Sequence, residues 1–335
     1  ADGQFTIDGS TGELSTTGGL DFETAASHVL TVTVTDGDGL SDTSTVTVTV
    51  NEVVPDMIPP KATLPRDLLV VSLSTDEVLR FDGTSGKFVD PFVSTAKGGL
   101  TSPVGITSGP KGDVYVSSPG SNQILRYDGT NGAFVEVFVE AGSGGLSAPI
   151  DLTFGPDGRL YVVSNATNNV LRFSGITGTF INEFVDVGSG GLAAPQSLTF
   201  GPDNNLYVTS LTTDNVLRYN GTSGTFIDEF VASGSGGLSG PGGLLFGPEI
   251  DGFIGNDTID GALGGDLFVA SRNSNSVLHY DGTTGKFVNE FVAAGSDGLS
   301  KPNDLAFGSD GNLYVTNQDA QSVFRFDGST GVFFD

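Results

Sequence analysis

A motif of the form Val-Leu-Arg-aromatic, or a close variant, begins at Val78, Ile124, Val170, Val216, Val277 and Val323, in steps of 46, 46, 46, 61 and 46 residues. Self-similarity at a fixed period of roughly 20 to 50 residues marks stacked units, each too small to bury its apolar face alone. After each copy comes a Gly-centred turn and then an aromatic run, as in Tyr127-Asp128-Gly129 followed by Phe134-Val135, and Tyr219-Asn220-Gly221 followed by Phe226-Ile227. Asp-Gly or Asn-Gly between apolar stretches is the strongest short-range hairpin signal.

Two more short apolar runs complete each unit. One precedes the motif, as in Val114-Tyr115-Val116 or Leu206-Tyr207-Val208. The other follows a Gly-Gly-Leu turn and a Pro, as in Pro149-Ile150-Asp151-Leu152-Thr153-Phe154. Four strands in 46 residues is the period of a propeller blade, so the chain reads as all-β, with six blades over residues 67–335. Outer runs such as Phe88, Val89, Phe92 and Val93 carry apolar residues on both faces, as expected where neighbouring blades cover both sides.

The stretch from Pro149 to Val162 has the pattern Pro-x-x-Leu-x-Phe-Gly-Pro-Asp-Gly-x-Leu-Tyr-Val. It resembles the NHL-type repeat and the related six-bladed propellers of the gluconolactonase, senescence-marker and strictosidine-synthase group. The resemblance covers about four fifths of the chain. It implies the fold and leaves function open, because such propellers serve as hydrolases, lyases and binding modules.

The innermost strand is written only five times, at Pro103, Pro149, Pro195, Pro241 and Pro302. Blade 1 starts directly at Leu68-Leu69-Val70-Val71, and the preceding Pro-rich stretch is a poor inner strand because Pro removes ladder donors. The chain is therefore expected to be an excerpt of a longer multidomain protein. The alternative is strand donation between copies, a head-to-tail contact that builds a homo-polymer or filament.

Residues 1–52 read differently. Thr31-Val32-Thr33-Val34-Thr35 and Thr45-Val46-Thr47-Val48-Thr49-Val50 alternate with period two around the turn Asp36-Gly37-Asp38-Gly39. With Leu20-Asp21-Phe22-Glu23 upstream and Asn51-Glu52 downstream, this segment resembles the second half of a cadherin-type repeat, a partial β-sandwich. That resemblance implies Ca²⁺ ligands at Asp21, Glu23, Asn51 and Glu52, although the first strands of such a repeat and its acid-rich exit linker are absent. Residues 53–66 are expected to be a stiff Pro-rich linker.

A propeller presents its ligand face where the inner strands begin around the central channel. Those positions are Val104-Gly105, Ile150-Asp151, Gln196-Ser197, Gly242-Gly243 and Asn303-Asp304. The ends of the second strands are expected to add Ser72, Ser117, Ser164, Ser210, Ser271 and Asn317. Asp151, Asn303, Asp304 and Asn317 are the channel candidates, with oxygens suited to a hard cation such as Ca²⁺. Gluconolactonase-like enzymes hold a channel metal with a Glu, an Asn and an Asp. Pro302-Asn303 matches part of that set, and the Glu has no counterpart here.

With only two His, His28 and His279, no His-based acid–base or zinc site can be assembled in the channel. The repeated Arg80, Arg126, Arg172, Arg218 and Arg325 are read as partners of outer-strand Asp90, Glu136, Glu183 and Glu229 and their like, not as an anion-binding ring. The single long step between repeats reflects an insertion. Within it, Gly252 to Asp260 and Gly261 to Val269 resemble two RTX-type nonapeptides, which implies Ca²⁺ ligands among Asp251, Asp257, Asp260 and Asp266.

Forty acidic against fourteen basic residues give a net charge of −26, which repels nucleic acid and anionic lipid. No segment is apolar for long enough to span a membrane as a helix. The expectation is a non-catalytic, secreted or cell-surface module for adhesion, ligand binding or assembly, with a protein or glycan partner. The alternative is a metal-dependent, lactonase- or lyase-like enzyme working in the channel.

Overall fold

The computed structural model describes residues 67–247 except 84, residues 265–335 except 309, and the backbone of four strands near the N-terminus. Those four are β1 (Phe5–Ile7), β2 (Leu14–Thr16), β3 (Ser27–Thr35) and β4 (Ser41–Thr49). β1 pairs antiparallel with β2, and β3 pairs along its whole length with β4, where Thr31 faces Thr45. By contact density the chain divides into two compact units, 1–55 and 56–335.

The larger unit is a six-bladed propeller. Blade 1 contains β5 (Leu68–Ser72), β6 (Glu77–Phe81) and β7 (Phe88–Val93). Blade 2 has four strands, β8 (Ile106–Ser108), β9 (Val114–Ser118), β10 (Gln123–Tyr127) and β11 (Phe134–Val139). In blade 3 these become β12 (Pro149–Phe154), β13 (Leu160–Ser164), β14 (Asn169–Phe173) and β15 (Phe180–Val185). Blade 4 repeats them as β16 (Pro195–Phe200), β17 (Leu206–Ser210), β18 (Asn215–Tyr219) and β19 (Phe226–Val231). Blade 5 holds β20 (Pro241–Phe246), β21 (Leu267–Ser271), β22 (Ser276–Tyr280) and β23 (Phe287–Val292). Blade 6 has β24 (Pro302–Phe307), β25 (Leu313–Asn317) and β26 (Ser322–Phe326), with Phe333 bridging to Phe326 at its outer edge. Among the described residues the inner strand thus occurs five times.

The core lies between blades. Tyr161, Val163, Phe184 and Val185 of blade 3 interlock with Leu192, Leu198, Val208 and Tyr219 of the blade 4 repeat, and equivalent clusters join blades 1–2, 2–3, 4–5 and 5–6. This explains why the second strands do not alternate: β13, β17 and β21 are buried at every residue. The outer strands obey that rule for only half their length. Phe92 and Val93 are buried, whereas Phe88 and Val89 are 55 % and 47 % exposed.

Register decides which acid meets each repeated Arg. A bulge in each outer strand places Leu171 opposite Glu183 and Arg172 opposite Asn182. Arg172 Nε accordingly donates to Asn182, and Arg218 pairs with Asp228 at 2.6 Å, not with Glu229. Glu183, Glu229 and Glu290 instead accept the backbone N–H of the residue four ahead, at 2.7, 3.0 and 2.9 Å. Arg80 with Asp90, and Arg126 with Glu136, pair as the sequence suggests.

Candidate functional site

The inner strands do more than fill the hub. Pro149 faces Ser164 and Leu152 faces Val162, so Ile150 and Asp151 together oppose the single residue Val163. The same bulge recurs at Gln196-Ser197, Gly242-Gly243 and Asn303-Asp304. A bulge of this kind re-aims side chains at a strand end. Here it turns two residues per blade toward the axis, where with Val104-Gly105 they line a cavity of about 30 Å³. That space suits a water or a small ion.

Two carboxylates face this cavity from opposite sides of the ring. Asp151 is held by three donors: Leu152 N at 2.8 Å, Ser197 Oγ at 2.6 Å and Leu198 N at 3.1 Å. Burial inside the ring raises its carboxyl above the ordinary range, and those three donors pull the other way. Asp304 receives one hydrogen bond, from Leu305 N at 2.9 Å, and its Oδ2 has no partner among the described residues. Burial, and then the charge of Asp151, push Asp304 up to about 7. Asp304 is nevertheless exposed in the ring, so solvent screens much of that effect.

Glycines make room for both acids. A Cβ on Gly105 would lie 2.5 Å from Ile150 O and 2.9 Å from Asp151 Cα, and one on Gly243 would lie 2.5 Å from Asp304 Oδ1. Asn303 joins this lining, and Gln196 turns its amide N–H groups back onto Ala194 O and Pro195 O.

The serine ring and Asn317 do not line the channel. Ser164, Ser210 and Ser271 are fully buried, and each hydroxyl accepts a turn amide, from Ser147, Ala193 and Ser239 respectively. Ser118, not Ser117, is their counterpart in blade 2 and holds Thr101 N. Asn317 accepts from Ser300 N and donates to Gly298 O, so both ends of its amide are occupied. These groups clamp the loop that feeds each inner strand. Ser117 plays a different part: it accepts Gly105 N and donates to Ile150 O of blade 3, as Thr209 does with Ser197 N and Gly242 O.

The remaining candidates are separated from the channel or lie outside the described residues. Asp266 stands 2.8 Å from Nε2 of His279, which replaces the repeat Arg in blade 5. Asp266 thus occupies the place that Asp113 takes beside Arg126, a structural neighbour of the third strand and not a channel group. Asp21, Glu23, Asn51, Glu52, Asp251, Asp257 and Asp260 lie outside the described residues. Among the described residues no three acidic or His side chains converge as metal ligands, and no helix is long and apolar enough to cross a membrane.

The channel donors fit a lactonase-type metal poorly. A hard divalent ion takes about six to eight oxygens. Among the described residues, Asp151 has both oxygens hydrogen-bonded, no Glu lines the cavity, and Asp304 Oδ2 is the one uncommitted carboxylate oxygen on the ring.

Comparison with known proteins bears on both units. The cadherin domain family matches residues 1–51. No curated protein matches the sequence. Among solved structures, virginiamycin B lyase from Staphylococcus aureus is similar at 16 % identity and TM-score 0.56, over 92 % of this chain and 87 % of that one. A chain of a nidogen/laminin complex is similar at 17 % identity and TM-score 0.60, over 80 % and 92 %. A gluconolactonase from Xanthomonas campestris is similar at 18 % identity and TM-score 0.56, over 76 % and 80 %. At these identities the likeness is one of fold: the chain shares the six-bladed β-propeller of lyases, lactonases and protein-binding modules alike.

Proposed function

We propose that the chain is a non-catalytic binding module of a secreted or cell-surface protein, with adhesion, ligand binding or extracellular assembly as its task and a protein or glycan surface as its partner. The observation that carries this reading is the state of the channel's polar groups. Both oxygens of Asp151 accept hydrogen bonds from the ring, and the Gln196 amide folds back onto Ala194 O and Pro195 O, so most of the channel side-chain groups that a hydrolase or lyase would want free are tied up. Support also comes from the cadherin-family match and from the nidogen/laminin likeness. In this reading Ca²⁺ belongs to the cadherin-like unit, through Asp21, Glu23, Asn51 and Glu52, and to the acidic insertion, through Asp251, Asp257 and Asp260.

A metal-dependent, lactonase- or lyase-like enzyme is the second reading, and one observation favours it. Asn303 and Asp304 stand side by side on the channel, and Asp304 keeps an unpaired oxygen over the cavity. Calorimetric titration with Ca²⁺, Mn²⁺ and Zn²⁺, run beside a panel of lactones, separates the two. The binding-module reading expects Ca²⁺ uptake that survives Asp304→Asn, and no turnover. Lactone hydrolysis dependent on a metal and lost in Asp304→Asn would overturn it.

A further inference from the structure

Comparing the blades with one another separates what the ring needs from what it can vary. Gly86, Gly132, Gly178, Gly224, Gly285 and Gly331 recur once per blade, each at positive φ. Two other positions differ from blade to blade. The residue after the second strand is Leu73, Pro119, Asn165, Leu211, Arg272 and Gln318 in turn, and the bulged pair of the inner strand is different in all five copies. Both positions meet at one place. The N–H groups of Asn165, Leu211, Arg272 and Gln318 donate to the carbonyl of the residue before the inner-strand Pro, at 3.2, 3.4, 3.1 and 3.4 Å. The repeat thus diverges around the rim of the channel mouth, on loops that a rigid scaffold positions for binding.

Arg272 is set apart on that rim. Arg80, Arg126, Arg159, Arg218 and Arg325 each pair with an acid, and Arg172 lies over Phe184 while donating to Asn182. Arg272 has no acidic partner among the described residues, although the chain carries forty acidic side chains. Asp319 of the neighbouring blade is taken by Lys301. The Arg272 side chain passes over channel-lining Gly242, with Cδ 3.4 Å from the point a Cβ would occupy, and Nη2 donates to Gln318 Oε1 of blade 6 at 2.9 Å. A neutral amide therefore holds the guanidinium in place and leaves its charge unanswered. Gln318 Nε2 and the amide of Asn303 on the same side of the mouth have no partner among the described residues.

We propose that Arg272 is the anchor of a protein interface at the channel mouth and takes the carboxylate of an Asp or Glu on a partner's exposed loop. A guanidinium offers a carboxylate two parallel N–H groups, which fixes orientation as well as charge. The cavity below is about 30 Å³, far short of the several hundred that enclose a small molecule, so a ligand must spread over the rim. Leu73, 56 % exposed, and the half-buried Leu211 offer apolar contact there, and none of the rim and channel residues is aromatic, the platform on which a sugar ring would stack. The net charge of −26 repels acidic surfaces in general, so only a partner that delivers its carboxylate to this point gains. The proposal rests on the binding-module reading and names the partner's chemistry.

The test is an NMR titration of the full chain that follows the arginine Nε–H signals, with N-acetyl-aspartate amide as the probe and N-acetyl-asparagine amide as its neutral isostere. Saturable movement of the Arg272 signal is expected, with the neutral compound binding about tenfold more weakly. The Arg126 signal, held by Asp113 and Glu136, should stay still. Acetate should bind about threefold more weakly than the probe, because it lacks the amides that reach Asn303. Arg272→Gln should abolish the response, and it keeps the fold because Gln318 fills the same position in blade 6. A still Arg272 signal, equal binding of the two amides, or binding that survives Arg272→Gln overturns the proposal. So does acetate binding as tightly as the probe, which marks an adventitious anion site, or glucuronate binding more tightly, which makes the partner a glycan. The metal and lactone measurements do not depend on Arg272, so the binding-module reading stands or falls separately.

Discussion

Blade 3 and blade 6 place an Asp at the same point of the same bulge, and the two acids end up in different states. Asp151 sits between Gly105 and Ser197 and finds three donors; Asp304 sits beside Gly243 and finds one. Nothing in the local sequence of either blade separates them. The difference comes from the neighbour: an inner strand follows blade 3, and among the described residues none follows blade 6. In a ring of repeats, a residue's chemistry is set as much by the next unit as by its own.

The sharpest way to break that comparison is sterically. Gly178 and Gly86 occupy one position in blades 3 and 1, with φ of +69° and +67°. A Cβ on Gly178 would lie 1.7 Å from Phe138 O of the preceding blade, and one on Gly86 would meet nothing within 4 Å. Gly178→Ala should therefore cost about 3 kcal/mol or more, since backbone must move. Gly86→Ala should cost about 1 kcal/mol, the left-handed conformation alone. Urea unfolding of both variants gives the contrast, and equal losses would show that neighbouring blades do not set it.

Next in size is removal of the acids themselves. Asp151→Ala strands the Ser197 hydroxyl and the N–H groups of Leu152 and Leu198, and should cost about 2 to 3 kcal/mol. Asp304→Ala strands one N–H and removes an exposed carboxylate with no other partner among the described residues, and should be near neutral at pH 8. A large loss in both would mean that blade 6 is satisfied by groups outside the described residues.

The same pair sharpens with pH. In the unfolded chain Asp304 titrates at its ordinary 3.8, and in the fold at about 7. Between those values the native state holds the extra proton, so stability falls as pH rises through the window and stays lower above it. Asp304→Asn removes that slope. The variant should gain on the wild type between pH 4 and pH 8 by no more than about 1 kcal/mol, because the side chain is exposed and solvent screens its charge. Melting curves across that range should show the gain growing with pH, and a gain that shrinks would reverse the assignment.

The period and the Gly-turn-aromatic punctuation made the blades legible, because each strand boundary is a local event. The channel pairs were legible for the same reason, since a Pro after a Gly-Gly-Leu turn marks where each inner strand starts. The serine ring was misread because the groups it holds lie far away in sequence, 32 residues before Ser271 for example. Position alone cannot say whether a hydroxyl faces a channel or a turn. Two of the Arg partners were misread for a smaller reason. The outer-strand register is the same in every blade, and Glu183 and Glu229 are shifted one residue past the position, held by Asp90, Glu136, Asn182 and Asp228, that stands opposite the guanidinium.

That shift supplies the finest contrast between blades. Arg218 forks onto Asp228, with Nε at 3.1 Å and Nη2 at 2.6 Å, while Arg172 offers Nε at 2.9 Å to the neutral amide of Asn182. Both guanidinium groups also lie over a Phe ring, 4.9 Å from Phe184 in blade 3 and 5.0 Å from Phe230 in blade 4, so packing is matched and charge is what differs. Asn182→Asp should turn the blade 3 contact into a two-point ion pair. The Asp228 side chain is 44 % exposed, and a pair this open contributes about 0.2 to 1 kcal/mol. The gain should appear in thermal melts at low salt and fade in 1 M salt, where the screening length is about 3 Å. A gain that persists at high salt would assign it to geometry, through the second hydrogen bond, and not to the added charge.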